Sequence, residues 1–368
     1  MARKCVCPHC FRRITHADTR FECATPACRG GEPPVATDPR ADRAGCGSCG
    51  RVTSRRLCAH CGDLLPSGYL EQPGTLVALV GPPNSGKSTY IGVLVHELRH
   101  GVGKELDAAL QPCDDNTVIQ YEEGYGRVLF DEHRTVRKTD TRLNRHSVAG
   151  RPLVYQLKRR RRGLFGQKHA TLTLVFLDAA GEHYGSDDQV EREARYLAEA
   201  DALVLLLDPQ DLPGTAGPAG PGRAVSGGAS TDVLSRVLRH LTAVHDVKPN
   251  RKLRLPIAVA ITKLDLLLTG IEDNSPLRRE RPAGARFDAD DREAVHTELR
   301  ARLDQWQADG VSRELDHYCA DYQLFGISML GTAPRGEAID PGGIRPHRIE
   351  DPLIWLLHKF GMLDRGKG

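Results

Sequence analysis

The segment TLVALVGPPNSGKSTYIGVLVHELRH, residues 75–100, constrains the fold of this chain more than any other stretch. A strand-length apolar run leads into a turn of the form G-x-x-x-x-G-K-S, and a helix-like pattern follows. Glycines in such a turn let successive backbone N–H groups face phosphate oxygens, and the helix N-terminus adds partial positive charge. We predict phosphate contacts from Gly81, Asn84, Ser85, Gly86, Lys87, Ser88 and Thr89. The motif predicts a nucleoside triphosphate, with Lys87 at its β- and γ-phosphates and Ser88 on Mg²⁺, but does not specify the base.

Apolar runs of strand length alternate with polar, helix-like stretches after residue 76. This alternation predicts the α/β class, a mostly parallel sheet with helices on both faces. Strands are expected at 76–80, 152–160, 170–177, 202–207, 255–262 and 322–327. Helices are expected at 87–100, 187–200, 231–246, 290–309 and from Asp351 onward. We assign 74–364 to this domain, with an insert at about 101–150 and a flexible loop at 212–230.

Composition argues against several classes of protein. No run approaches the roughly eighteen uninterrupted apolar residues of a membrane span, so a transmembrane protein is not expected. The first residues, MARKCVCPHC, are positively charged but lack the apolar core of a signal peptide, and we expect a cytoplasmic protein. The formal net charge of +3 is too small to indicate a nucleic-acid partner by itself.

The stretch LVFLDAAGEH, residues 174–183, provides a second expected contact with the nucleotide. Its apolar strand ends at Asp178, whose carboxylate is expected beside the Mg²⁺ of the phosphate loop. Gly181 follows in a sharp turn and can offer its backbone N–H to a γ-phosphate. A helix-capping aspartate after a strand is the alternative interpretation of this pattern.

The stretch PIAVAITKLDLL, residues 256–267, is expected to select the base. Its strand ends at Thr262, Lys263 and Asp265, and a carboxylate there can accept two hydrogen bonds from guanine N1–H and the exocyclic amine. Adenine lacks this donor pair, and an unpaired buried carboxylate is costly. Lys263 would lie along the base and sugar. A further strand ends in FGISMLG, which would place Ser328 and the Met329 amide near the guanine O6.

Taken in order, these motifs resemble the Ras-like, translation-factor-related (TRAFAC) class of P-loop GTPases over about residues 74–362. The resemblance implies a six-stranded sheet of mixed type with one antiparallel edge strand, and GTP or GDP at the carboxyl ends of its strands. It implies nucleotide contacts from Gly81, Gly86, Lys87, Ser88, Asp178, Gly181, Thr262, Lys263, Asp265 and Ser328. The cysteine-rich head and the long insert are similar to divergent bacterial double-GTPase proteins associated with predicted conflict systems.

The sequence departs from the pattern of this class in three places. Threonine stands at 262, where the class usually has asparagine. Glu182 stands where a glutamine or histidine commonly orients the attacking water, and His183 is a second candidate for that role, so we expect slow intrinsic hydrolysis. The threonine that should bind Mg²⁺ is not unique in the insert, and we favour Thr139 or Thr141.

The first 66 residues are too poor in apolar runs to form a core without metal. Nine of the eleven cysteines lie in the first 61 residues, which indicates metal binding rather than disulfides in a reducing compartment. Consecutive grouping predicts one structural zinc site at Cys7, Cys10, Cys23 and Cys28, and a second at Cys46, Cys49, Cys58 and Cys61. An interleaved grouping, or Cys5 as a ligand, is the alternative.

Charge indicates the partners of two segments. Residues 1–66 carry a net +5, and two four-thiolate zinc sites would lower this to +1, which suits protein recognition better than a phosphate backbone. Residues 127–168 carry 13 basic and 3 acidic residues. This basic segment would suit an acidic protein, an anionic membrane surface or nucleic acid, or it is a solvated turn. Arg134 or Arg137 within it could act as an internal arginine finger.

The sequence therefore predicts a guanine-nucleotide switch with weak, Mg²⁺-dependent GTPase activity, in which Lys87, Glu182 and His183 are the candidate catalytic residues. The zinc head would tether this switch to a protein partner. One alternative is a nucleotide-loaded scaffold that does not hydrolyse GTP. The other is a zinc-ribbon ATPase that acts with nucleic acid.

Overall fold

A seven-stranded sheet organises most of the chain in the computed structural model. The residues it describes are 5–28, 34–36, 38, 40–71, 75–136, 151–163, 166–177, 194–212, 214, 229–284 and 287–363. The strands are β5 (Leu76–Val80), β6 (Ala108–Pro112), β7 (Leu153–Gly163), β8 (Gly166–Phe176), β9 (Ala202–Leu207), β10 (Ile257–Ile261) and β11 (Tyr322–Gly326). They lie in the order β11-β10-β9-β5-β8-β7-β6. Strands β1 to β4 belong to the cysteine-rich head.

Five strands of this sheet, β8, β5, β9, β10 and β11, run parallel to one another. The residues of β9 and β10 are all buried, which is why their sequences read as unbroken apolar runs rather than as alternating patterns. The predicted mostly parallel α/β sheet is thereby confirmed.

The expected number of strands was wrong by one, because β6 lies inside the insert and extends the sheet. It pairs antiparallel with β7, which pairs antiparallel with β8. Its sequence, AALQP, contains one large apolar residue, and its burial is partial, so no strand-like apolar pattern marks it. The long hairpin of β7 and β8 supplies the backbone partners that hold it.

Helices cover both faces of the sheet. They are α1 (Lys87–His100), α2 (Val102–Glu105), α3 (Asp115–Tyr121), α4 (194–198), α5 (Ala229–Val244), α6 (Ala289–Gln305), α7 (Asp309–Tyr318) and α8 (Asp351–Lys359). Helices α1 and α8 contribute to the apolar core on one face, and α5, α6 and α7 to the core on the other.

One helix expected at 290–309 is divided in the structure. Helix α6 ends before Gln307, whose φ of 55° lies in the left-handed region, and α7 begins at Asp309. A non-glycine residue in that conformation cannot continue an α-helix. The helix expected from Asp351 is present as α8. Of the helix expected at 187–200, residues 187–193 lie outside the described part of the chain.

The insert packs against the helix that follows the phosphate loop. After α3 it continues as a π-helix, Glu122–Asp131. A Cβ on Gly92 of α1 would lie 2.4 Å from Leu129 Cδ1 and 3.2 Å from Tyr125 Cβ. Glycine at this position therefore lets the π-helix approach the backbone of α1 closely.

The head consists of two small antiparallel pairs. Strand β1 (Thr19–Phe21) pairs with β4 (Arg56–Cys58), and β2 (Ala44–Gly45) pairs with β3 (Val52–Thr53). The chain thus folds back on itself, so that the beginning and the end of the head lie side by side. Within the described residues, no helix combines the length and the apolar character needed to cross a bilayer.

Candidate functional site

The carboxyl ends of the five parallel strands meet at one edge of the sheet, and the predicted nucleotide motifs follow four of these ends. The residues after β5, β10 and β11 are described, and so is the residue after β9. Six predicted site residues lie outside the described residues: Thr139, Thr141, Asp178, Gly181, Glu182 and His183. Their predicted roles remain predictions.

The loop after β5 is shaped by close backbone approaches. A Cβ on Gly81 would lie 2.5 Å from Ser85 Oγ and 2.8 Å from the Leu206 carbonyl oxygen. Gly86 has a φ of +88° and Asn84 a φ of 66°, both in the left-handed region. The loop therefore needs glycine at position 81 because a side chain has no space there, and glycine at position 86 because the backbone is left-handed.

The interior of this loop fits an anionic chain. Lys87 Nζ donates to the carbonyl oxygens of Gly81 at 2.7 Å and Pro82 at 3.0 Å, so the ammonium group lies inside the curl of the loop. Ser85 Oγ is fully buried and has no hydrogen-bond partner among the residues that the structure describes. A buried hydroxyl in this position is costly unless a ligand or water satisfies it. Ser88 and Thr89 begin α1 at the same end of the loop.

The loops after β10 and β11 are joined by hydrogen bonds. Ser328 Oγ donates to Asp265 Oδ1 at 2.5 Å, and the Leu264 backbone N–H donates to the Ile327 carbonyl oxygen at 3.0 Å. Thr262 Oγ1 donates to the Leu207 carbonyl oxygen at 3.1 Å, which holds the loop to β9. The structure thus brings the predicted base-selecting carboxylate and the predicted serine into direct contact.

Lys263 has a partner that the sequence reasoning missed. Its Nζ lies 2.6 Å from Asp208 Oδ2, and the Asp208 side chain is 1% exposed. Asp208 directly follows the buried strand β9, and in the sequence Asp178 likewise follows the apolar run of β8, one residue further from the end of its strand. That position was the available signal. The buried carboxylate fixes the direction of the lysine, whose own backbone φ of 51° is left-handed.

Met329 connects the two halves of the candidate site. Its side chain is 5% exposed, and its Cε would lie 2.3 Å from a Cβ built on Gly86. The loop after β11 therefore rests on the phosphate loop through this methyl group. Any side chain at position 86 would displace it.

The cysteines form two groups whose geometry fits zinc. In each group the four Sγ atoms lie within 4.8 Å of one another. Measured Sγ–Sγ distances are 3.8 Å for Cys7–Cys61, 3.9 Å for Cys10–Cys58 and 3.6 Å for Cys23–Cys49. A tetrahedral site with Zn–S bonds of about 2.3 Å places its sulfur atoms about 3.8 Å apart. The donor set and its spacing therefore match a structural zinc site.

The expected grouping of these cysteines was wrong. The inner cluster consists of Cys7, Cys10, Cys58 and Cys61, and the outer cluster of Cys23, Cys28, Cys46 and Cys49. The sites are nested, neither consecutive nor interleaved, because pairing of β1 with β4 brings the first and last cysteine pairs together. Neither cluster contains Cys5, whose Sγ lies 3.9 Å from the Tyr69 carbonyl oxygen.

The pKa values of the cluster thiols are shifted in both directions. The backbone N–H of Arg51 lowers the pKa of Cys49 to about 6. Hydrogen bonds from Cys10, Cys61 and Cys7 lower the pKa of Cys58. Hydrogen bonds with neighbouring cysteines raise the pKa of Cys7, Cys61 and Cys28, so each cluster contains thiols as well as favoured thiolates. Zinc binds thiolates, and its binding would therefore release the remaining protons.

Several arginines of the basic segment at 127–168 have partners within the chain. Arg159 donates to the Leu106 carbonyl oxygen at 2.9 Å and also to that of Met362. Arg160 pairs with Asp107 at 2.8 Å. Arg134 pairs with Glu132 at 3.3 Å and Glu337 at 3.5 Å. Arg159 and Arg134 thus connect the insert with the C-terminal region, and Arg160 forms an exposed pair. Residues 137–150 and the side chains of 161–169 lie outside the described part.

Comparison with known proteins places the chain in a family. A family model described as Double-GTPase 2 matches residues 75–323, about two thirds of the chain. The chain belongs to the Double-GTPase 2 family. This membership supports guanine-nucleotide binding and confirms the resemblance of the sequence to double-GTPase proteins.

The chain is also similar to one relative of known sequence and to two solved structures. "Putative ESX-1 scaffolding and assembly protein SaeC" of Mycolicibacterium smegmatis is 28% identical over 359 residues, covering 92% of this chain and 86% of the relative. The signal recognition particle receptor SRb-GTP/SRX complex from Chaetomium thermophilum has a TM-score of 0.34 and 14% identity, covering 72% of this chain and 95% of that one. The S. cerevisiae Ski7 GTPase-like domain bound to GTP has a TM-score of 0.33 and 14% identity, covering 80% and 51%.

Proposed function

We propose that this Double-GTPase 2 protein is a guanine-nucleotide switch that hydrolyses GTP slowly with Mg²⁺. The observation that carries the proposal is the contact between Asp265 and Ser328 at the ends of β10 and β11, beside the phosphate loop. A carboxylate held there accepts the two donors on the guanine edge, and an adenine would leave it unpaired. Lys263, directed by Asp208, would lie along the base.

The phosphate chain would lie in the loop that follows β5. Its oxygens would accept from the loop amides and from Lys87 Nζ, and the buried Ser85 hydroxyl would gain a partner. Ser88, Asp178 and Thr139 or Thr141 would hold Mg²⁺, which neutralises charge on the β- and γ-phosphates when bound. Glu182 or His183 would orient the attacking water. The negative charge of Glu182 beside the γ-phosphate supports a low rate.

Base selectivity tests this assignment. We expect unlabelled GTP and GDP to displace a fluorescent GDP from the full chain, and ATP to compete at least 100-fold less well. Asp265→Asn should shift preference toward xanthosine nucleotides, because a carboxamide matches the xanthine edge. Asp273→Asn is the control, since its side chain is fully exposed. Equal competition by ATP would refute the guanine assignment.

A second candidate function is a nucleotide-loaded scaffold that does not hydrolyse GTP. It is favoured by the name of the Mycolicibacterium smegmatis relative, a putative scaffolding and assembly protein, and by Glu182 at the position expected to orient the attacking water. Single-turnover release of phosphate separates the two functions. Release that requires Mg²⁺ and is lost in Lys87→Ala supports the switch, and no release over many hours supports the scaffold.

We also propose that the chain acts on a protein partner from the cytoplasm. The nearly neutral zinc-loaded head, residues 1–66, suits a protein surface better than a nucleic acid. The domain at 74–364 would carry the nucleotide, and the basic segment at 127–168 could add an acidic protein or an anionic surface. Binding of the full chain to a candidate partner should differ between its GDP and GTP forms.

A further inference from the structure

Three cysteine knuckles of the head share one backbone conformation, and one of them carries an unusual residue. In each, the residue four positions after the first cysteine donates its N–H to the carbonyl of that cysteine, at 2.8 to 2.9 Å. These residues are Phe11, Gly50 and Gly62, with φ angles of 60°, 69° and 76°. Glycine adopts this left-handed conformation without cost, and a bulky residue does not. The backbone of Phe11 is therefore strained, and we infer that contacts of its side chain compensate for this strain.

The Phe11 ring leaves the head and enters the core of the nucleotide domain. It is 1% exposed, and its centroid lies 4.9 Å from that of the Tyr196 ring. Both rings belong to the apolar core formed with α5, α6 and α7. Arg13, two residues later, pairs with Glu199 at 2.8 Å. The inner zinc knuckle thus rests on α4, the short helix that contains Tyr196.

The Tyr196 hydroxyl joins the two strands that lead to the candidate phosphate contacts. It accepts from the Leu79 backbone N–H at 2.8 Å and donates to the Val175 carbonyl oxygen at 2.7 Å. Strands β5 and β8 pair directly at two positions, and the more C-terminal of these pairs Val77 with Leu174. The hydroxyl therefore bridges the strands just beyond their last direct pair. Strand β5 then enters the Gly81 loop, and β8 leads to Asp178.

We propose that Tyr196 is a positioning residue that couples zinc in the inner cluster to nucleotide at the phosphate-binding edge. Metal fixes the knuckle, the knuckle seats Phe11 against the tyrosine ring, and the ring holds the hydroxyl between the two strands. The spacing of the two phosphate-contacting loops then depends on the metal. Because coupling is reciprocal, bound nucleotide also retains zinc. This inference rests on the proposed nucleotide binding.

Zinc release from the full-length protein measures this coupling. The outer cluster is first disabled by Cys46→Ser and Cys49→Ser, so that one zinc remains per chain. Transfer of that zinc to a colorimetric chelator is then followed with and without saturating GDP and Mg²⁺. We expect GDP to slow release about fivefold or more, within the range of allosteric coupling. Removal of zinc should also lower the equilibrium affinity for a fluorescent GDP, by the same factor by which GDP raises the affinity for zinc.

Two variants isolate the relay. Tyr196→Phe keeps the ring contact and loses both hydrogen bonds, and Phe11→Gly relieves the knuckle backbone and loses the ring. Each should bind zinc and GDP, and in each the effect of GDP on zinc release should fall to less than twofold. Tyr121→Phe is the matched control, since this buried hydroxyl donates to the Gly92 carbonyl oxygen at 3.1 Å, in α1, and lies outside the contact between head and α4. A purely structural role would lower the melting temperature in all three variants without abolishing coupling.

The outcomes separate this inference from the proposed function. If the unsubstituted chain binds no guanine nucleotide, the proposed function fails. If it binds GDP and zinc release is unchanged by GDP, or Tyr196→Phe retains the full effect, the coupling is refuted. Should both variants fail to fold, hydrogen exchange at the Leu79 amide of the unsubstituted chain decides. Protection of that amide should rise when zinc is bound, and equal protection with and without zinc would overturn the inference.

Discussion

The two cysteine clusters have the same chemistry and different surroundings. The inner cluster contains Cys7 and Cys58, both fully buried, and its knuckle sends Val6 and Phe11 into the core of the nucleotide domain. The outer cluster lies near Val35 and Val52, which are 79% and 63% exposed and are the most exposed large apolar side chains among the described residues. The same set of four cysteines can therefore serve two purposes. The inner cluster supports the core of the nucleotide domain, and the outer cluster supports an exposed surface of the head.

Substitution of one ligand in each cluster gives the largest expected contrast. Cys58→Ser should destabilise the whole protein by several kcal/mol and weaken nucleotide binding, because structural zinc contributes directly to folding. Cys46→Ser should abolish zinc binding by the outer cluster and leave the nucleotide domain folded. Thermal unfolding followed with and without GDP measures both, alongside the zinc content of each variant.

Equal loss of melting temperature in the two serine variants would contradict the comparison. Cys319→Ser serves as the control, since this buried thiol lies in the nucleotide domain and belongs to neither cluster. It should change zinc content in neither direction.

Removal of metal from the unsubstituted chain should occur in two phases. Buried ligands lose their metal only through local unfolding, and the inner cluster opens only when its contacts with the nucleotide domain open. We expect the outer zinc to transfer to a chelator on the order of tenfold faster than the inner zinc. The time course of transfer at fixed chelator concentration checks this, and each phase is assigned from the serine variants. A single phase of two zinc ions would show that the clusters open together.

Local patterns predicted the features that depend on neighbouring residues. The phosphate loop, the parallel strands and the Cys-x-x-Cys knuckles each lie within a short stretch, so spacing and periodicity identify them. The grouping of the cysteines was not available in this way, because it is decided by β1 pairing with β4 across almost forty residues. The same holds for Lys263 and Asp208, which are separated by 55 residues.

Features without a sequence pattern could not be predicted at all. Strand β6 has no alternation of its own and exists because β7 extends far enough to pair with it. Nothing in the sequence distinguishes Tyr196 from other helical tyrosines. Its hydroxyl forms hydrogen bonds with β5 and β8 because these strands diverge at that point. Phe11 is a local signal that was missed, since it stands where the knuckles at Cys46 and Cys58 have glycine.

Truncation of one valine in each region compares a buried with an exposed contact. Val6 is 8% exposed and packs in the core, so Val6→Ala should lower the free energy of unfolding by about 1–2 kcal/mol. Val52→Ala should change it by less than about 0.5 kcal/mol, as is usual for exposed positions. Urea unfolding of both variants, at saturating zinc, measures the difference. If Val52→Ala lowered the free energy of unfolding by more than about 1 kcal/mol, Val52 would have to be buried in a contact, contrary to its exposure in the structure.

Ion pairs should give the smallest contrast between the two regions. Arg13 joins the inner knuckle to Glu199 at 2.8 Å with its side chain 58% exposed, and Arg55 joins Glu22 within the head at 3.0 Å with 33% exposed. Exposed pairs contribute about 0.2–1 kcal/mol and are screened by salt. We therefore expect Arg13→Ala and Arg55→Ala to lower stability by similar small amounts at low salt. Only Arg13→Ala should also speed zinc release from the inner cluster, because its pair spans the contact between knuckle and α4. Zinc transfer at 50 mM and 500 mM salt tests this, and an equal effect of the two variants would mean that the ion pair does not hold the knuckle in place.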